Sequence, residues 1–179
     1  MKKTRFGLVV IALALLMSNN IFAQVNFDVP QNIKLKSDND YAKYEPDIIA
    51  AAKWLEQTDL NVETKKRKEI NAFVSQWIVG TPVVSVRLSE HLQGIYDKNA
   101  ELLLIYIASF SSYYLIHKKD ATEFEATKAG LMSIMYVYKK GIEIKKSKEM
   151  DKLIKLTNEN KLDDYINEKF KLTDARFDD

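Results

Sequence analysis

Apolar and polar positions alternate with a helical period along most of this chain. The densest apolar block runs from Leu102 to Ile116, where Ser109, Ser111 and Ser112 are the only polar side chains without an aromatic ring. A surface helix shows one apolar stripe. A segment that is apolar almost all round is a helix buried on most sides. The block is 15 residues long, and as a helix it spans roughly 22 Å, short of the ~30 Å hydrocarbon core of a bilayer. It is therefore expected to be the central helix of a folded domain.

The other elements follow from the same period. Ile70, Phe73, Val74, Trp77 and Ile78 recur at i, i+3, i+4, i+7 and i+8 and predict a helix from Val62 to Val79. Gly80 fits just past its end, and Thr81-Pro82 stops it. Before it, Ile48, Ile49, Ala52 and Leu55 give the inner stripe of a helix from Pro46 to Gln57. Pro46 suits its first turn, and Tyr41 to Tyr44 offers an earlier start. Val83 to Leu88 (VVSVRL) reads as an extended connector, and Ser89 to Tyr96 as a short helix limited by Gly94. Asn99 is placed to cap the central helix.

Thr122 with Glu125 three residues on fits a capping box, opening a helix that ends at Lys140 with Gly141 as its left-handed cap. Ser147 can cap a further helix to Leu156, and Leu162, Tyr165 and Ile166 mark a last one from Lys161 to Phe170. Gln24 to Lys36 reads as an extended arm with alternating Val25, Phe27 and Val29, and the acidic tail from Thr173 as loose. The expected fold is all-α: two stacked antiparallel helical hairpins plus shorter C-terminal helices, with a short extended N-terminal arm. The arm covers residues 24–40, a single helical domain residues 41–172, and the tail residues 173–179. Trp77 and Phe110 are expected in one core, since a lone hairpin cannot cover both faces of so apolar a helix.

A shift of 61 residues lays Ile70, Phe73, Val74 and Trp77 on Leu131, Ile134, Met135 and Tyr138, and Gly80 on Gly141. Residues 47–80 and 108–141 then read as equivalent hairpins. Shared hairpin geometry explains this as simply as duplication does.

The N-terminus changes the charge picture. Lys2, Lys3 and Arg5 precede an apolar stretch of 12 residues, Phe6 to Met17, then Ser18-Asn19-Asn20 and Ile21-Phe22-Ala23 before Gln24. This is the layout of a secretory signal peptide over residues 1–23, and it implies a periplasmic or extracellular destination. The segment holds three basic and no acidic residues, so the remaining 156 residues carry 24 Lys and Arg against 25 Asp and Glu. The basic balance of the whole chain belongs to the leader, and no nucleic-acid partner is expected. The chain has no cysteine, which excludes disulfides and thiolate metal sites.

Candidate chemistry is sparse. His91 and His117 lack the second ligand of a metal motif, and His117 suits a helix C-terminus electrostatically. Ser109, Ser111 and Ser112 lack a glycine-flanked elbow, and serines inside a helix more often bond back to the preceding turn. Glu101, Glu123 and Glu125 stand at helix starts, where the dipole favours carboxylates. No cofactor is suggested. Two features point to a surface. Lys65, Lys66, Arg67 and Lys68 form a basic run, suited to a solvated face or an anionic partner. Tyr106, Tyr113, Tyr114 and Tyr136 are candidates to line a groove between the hairpins.

The order VNFDVPQNIKL, AFVSQWIVGTP and YKKGIEIKKSKEMDKLIKL resembles a group of small secreted helical bacterial proteins of no assigned function. That resemblance implies a helical fold and export, and brings no catalytic residues. The paired hairpins also weakly resemble a tetratricopeptide arrangement, without its Trp-Leu-Gly-Tyr pattern. The expected function is a secreted, non-enzymatic helical binding or interaction module whose partner is a protein or peptide. The alternative is a carrier of a small apolar ligand in a cavity between the hairpins, and the third is a hydrolase without a recognisable motif.

Overall fold

The computed structural model describes residues 26–170 and 172. The signal peptide expected over 1–23 and the tail expected over 173–179 lie outside the described residues. Among the described residues the chain is all-helical, with no strand. The helical part opens at α1 (Asp38–Lys43). Its start is held by Asp40, whose carboxylate accepts from the Lys36 and Ser37 backbone N–H groups and from the Ser37 hydroxyl, each at 3.0 Å. Tyr44 leaves helical geometry (φ −96°, ψ 2°) and α2 (Glu45–Gln57) begins at once, with Pro46 in its first turn.

The helix predicted from Val62 starts later, as α3 (Thr64–Gly80), because Glu63 takes a left-handed conformation (φ 47°). Its apolar stripe is buried as expected, at Ile70, Phe73, Val74 and Trp77. Phe73 also gathers the arm: its ring lies 6.5 Å from Phe27 and 6.0 Å from Tyr44. Phe27 is buried, so the arm is part of the core.

The extended connector leads to α4 (Glu90–Tyr96), which contains Gly94 in its interior and does not stop there. Next comes α5 (Glu101–His117), the segment expected at the centre. It packs against α2, α3 and α4, and most extensively against α6 (Glu123–Lys140). Burial is not uniform. Leu103, Leu104, Ile107, Tyr113 and Tyr114 are half-buried, and Ile116 is 58% exposed near the C-terminal end. Two shorter helices, α7 (Lys148–Asn158) and α8 (Leu162–Phe170), cover another side of α6. Trp77 and Phe110 are both buried and share one core cluster. Among the described residues no helix is long and apolar enough to cross a membrane.

Capping matches expectation at three places and departs at two. Thr122 Oγ1 accepts the Glu125 N–H at 3.1 Å, Ser147 Oγ accepts the Met150 N–H at 3.4 Å, and Gly141 is left-handed (φ 68°). Asn99 does not cap α5, whose N-cap is Ala100. Its side chain instead donates to the Lys145 carbonyl and accepts from the Lys145 N–H, both at 2.8 Å, pinning the start of α5 to the loop before α7. Gly80 is the last residue of α3 and not a left-handed cap. A Cβ there would stand 2.0 Å from the Tyr41 hydroxyl, so close approach is what the glycine serves. Gly80 and Gly141, paired by the 61-residue shift, therefore do different jobs.

Helix order within the two blocks is the same, yet their packing differs. Along α5 and α6 the backbones run close, whereas α2 approaches α5 far more than it approaches α3. The reason lies in side-chain size. The face of α6 turned to α5 carries Gly130 and Ser133, with Ser133 Oγ 2.8 Å from Ser109 Oγ and the Tyr106 ring lying on Gly130. Between α2 and α3 stands Trp54, fully buried, with the Arg67 guanidinium 5.1 Å from its ring centre.

Candidate functional site

The basic run is not one surface. Arg67 is only 4% exposed. Its guanidinium donates to the carbonyls of Thr58 at 2.6 Å, Leu55 at 3.3 Å and Asp59 at 3.4 Å. Those carbonyls close α2, where unpaired C=O groups and the negative end of the dipole call for a cation. Burial lowers the affinity of Arg67 for its proton, and the negative charges of Glu101 and Asp59 oppose that shift. Arg67 is thus a helix cap in the core, not a ligand for an external anion, which corrects the expectation. Adjacent positions on a helix point different ways, and that is why the run divides. Lys66 folds back toward Trp54, 5.6 Å from its ring centre, with Glu63 at 3.6 Å and Asp28 at 4.0 Å. Lys65 and Lys68 remain exposed.

An open depression of about 420 Å³ lies beside this corner, lined by Asp28, Val29, Gln31, Glu63, Lys65, Lys66 and Glu69. Charges of both signs alternate around it, so it offers no single-sign field for an anionic or cationic ligand.

The four tyrosines part company too. Tyr106 is buried in the core and lines no groove, a second correction. Its ring fills the space over Gly130, and its hydroxyl reaches toward Thr127 without closing a well-formed hydrogen bond. Burial is the main cause of its acidity being suppressed, with the phenol pushed up to about 12; the Thr127 hydroxyl works against this and the Glu123 charge adds to it. It is therefore a neutral phenol at any physiological pH. Tyr113 is half-buried and stacks on His117 at 4.2 Å, while Tyr114 is half-buried. Tyr136 is 46% exposed, with Lys140 Nζ 4.8 Å from its ring centre. Met132, one turn earlier on α6, is exposed to the same degree. Lys140 is itself tied to the end of α2, through Asp59 at 3.1 Å and the Gln57 carbonyl at 2.8 Å.

The remaining candidates serve the fold. Ser111 bonds back to the Ile107 carbonyl at 2.8 Å and Ser109 pairs with Ser133. His91 and His117 are exposed. Among the described residues no group of three or more His, Asp or Glu is placed to hold a metal ion. Sequence reading missed two polar arrangements. The Tyr138 hydroxyl accepts from the Ser147 N–H at 3.0 Å and donates to Asp151 at 2.9 Å, joining α6 to α7. Glu123, expected only to favour the start of α6, is buried and lies 3.6 Å from Arg87 of the connector. The lone charge in VVSVRL was the available signal for it.

Comparison of the chain with protein-family models, curated proteins and solved structures finds no match.

Proposed function

We propose that this protein is an exported, non-enzymatic interaction module that binds a partner protein through the outer face of α6. The observation behind this reading is the pair Met132 and Tyr136, one helical turn apart and both 46% exposed, on a helix whose other sides fill the core. Methionine and tyrosine are enriched in protein interfaces, where they give apolar contact and, for tyrosine, a polar edge. Tyr136 is also held in place: Lys140 stands over its ring while anchored to Asp59 and Gln57. A fixed aromatic costs less entropy on binding than a free one. The three N-terminal basic residues and the 12-residue apolar stretch support export. The carrier reading has less to rest on, because the α5–α6 seam is filled by Tyr106 on Gly130 and by the Ser109–Ser133 pair.

The test is photo-crosslinking in the native host with a photoreactive residue at position 132 or 136. One discrete protein adduct is expected from both sites, reduced at least about tenfold when Tyr136→Glu is added to the probe at 132, since interface anchors cost ~2 kcal/mol or more. An exported protein that yields no adduct at either position, or an adduct indifferent to Tyr136→Glu, refutes the reading.

A further inference from the structure

The connector between α3 and α4, residues 81–89, differs from the rest of the fold. It is extended, and among the described residues the backbone N–H groups of Val84, Ser85, Val86 and Leu88 donate no hydrogen bond. A segment whose backbone groups are not paired inside the protein must keep them in reach of water. Apolar anchoring is slight. Val84 is buried at 5% exposure and Val86 is half-buried, while Val83 and Leu88 are exposed.

What the connector covers is polar. The Glu123 side chain is 2% exposed, and its carboxylate lies 3.6 Å from Arg87 Nε, whose own side chain is 57% exposed. Near that carboxylate lie the Tyr106 hydroxyl, which has no hydrogen-bond partner, and the buried Thr127. The Ser89 hydroxyl at the end of the connector is buried and unpaired as well. Covering a carboxylate and hydroxyls costs free energy, and uncovering them to water returns it. An apolar seam resists opening; this one is held mainly by a single charge pair that water can replace.

We propose that residues 81–89 form a strap that opens without global unfolding, latched by Arg87 on Glu123, and that its opening admits water and polar ligands to Glu123 and Tyr106. Local openings of this kind occur in segments with few buried apolar contacts. The strap is then a gate over a carboxylate at the N-terminus of α6, separate from the exposed face around Met132 and Tyr136.

The cysteine-free chain allows a direct test by native-state thiol labelling. Val84→Cys places a probe on the covered side of the strap. Ser111→Cys, fully buried in α5, reports global opening, and Ser133→Cys is a second such probe if the first fails to fold. The expected result is labelling at position 84 at least about tenfold faster than at 111 or 133. Adding Arg87→Gln should raise the rate at 84 by about threefold to tenfold, because it leaves a buried carboxylate unpaired. It should leave the ratio of global opening to global stability unchanged at 111 or 133. Equal rates at 84 and the core probes overturn the proposal. So does an Arg87→Gln variant that leaves the rate at 84 unaltered, or one that accelerates all probes by the same factor.

Discussion

The contact of α5 with α6 and the contact of α3 with its neighbours solve the same problem in opposite ways. The first is built from small residues: Ala126, Gly130 and Ser133 follow one another along α6, all buried, and Ser109 meets Ser133 across the seam. Backbones come close, and little side-chain freedom remains to absorb a change. The second is built from large ones. Trp54, Phe73 and Trp77 keep α3 at a distance from α2, with Phe27 and Tyr44 filling in around Phe73. Here polar edges matter: Trp77 Nε1 donates to the Tyr41 carbonyl at 3.1 Å, and Arg67 closes α2. Close approach gives rigidity through shape. Large rings give stability through buried area, with partners at the rim that can adjust.

The largest expected effect comes from truncating one ring on each side. Trp77→Ala and Phe110→Ala should each cost ~3–5 kcal/mol, in a single cooperative transition, because both rings belong to one core cluster. Thermal and urea unfolding followed by circular dichroism checks this. Two separate transitions would mean that the two contacts are independent cores.

Arg67 sharpens the large-residue side. Arg67→Met keeps most of the packing volume and removes the donors that serve Leu55, Thr58 and Asp59. A loss of ~2–4 kcal/mol is expected, and Arg67→Lys should not restore it, since one ammonium cannot match the guanidinium fork. A full rescue by lysine would reduce Arg67 to a point charge.

The smallest effect concerns the rim. Three hydrogen bonds from Lys36 and Ser37 lower the pKa of Asp40 below its ordinary value of 3.8. A carboxyl whose folded pKa is depressed stabilises the fold above the unfolded value, and that share is lost as pH falls through the folded one. Wild type should thus be more stable than Asp40→Ala at pH 7, and the two should converge as pH falls below about 4. A difference in melting temperature that persists at low pH would assign Asp40 a role other than charge.

How much of this was legible follows residue type. The stripe from Ile70 to Ile78 and the turn residues Thr122, Gly141 and Ser147 announced their roles, because helical period and capping act within a few positions of sequence. The all-α class followed from them. Arg67 was not legible: in KKRK it looks like its neighbours, and only the end of α2, nine residues away in sequence, gives it a purpose. Asn99 and Gly80 were misread for a related reason. Each stands where a local cap fits, yet each answers to a distant segment, Lys145 for one and Tyr41 for the other. Tyr106 was misread because a tyrosine hydroxyl argues for an edge position, and the ring over Gly130 decided otherwise. The surface at Met132 and Tyr136 was half-visible: Tyr136 was singled out, while Met132 was assigned to the buried face.

The two glycines that face tyrosines test the contrast most directly. An added Cβ at Gly130 would stand 2.6 Å and 2.7 Å from ring atoms of Tyr106 and 3.1 Å from its carbonyl oxygen, inside a core where Tyr106 is 1% exposed and has nowhere to go. An added Cβ at Gly80 would meet the outer end of Tyr41, hydroxyl first at 2.0 Å, and Tyr41 is only half-buried at the rim. Alanine improves helix propensity by about 1 kcal/mol at an interior site and less at a terminus, so overpacking decides the sign. Chemical denaturation should show Gly130→Ala losing ~1–2 kcal/mol and Gly80→Ala within ~0.5 kcal/mol of wild type, with Tyr41→Phe relieving any residual cost of the latter. A Gly80→Ala variant as damaged as Gly130→Ala, or a Gly130→Ala variant as stable as wild type, would contradict the distinction between a rigid small-residue seam and an adjustable large-residue one.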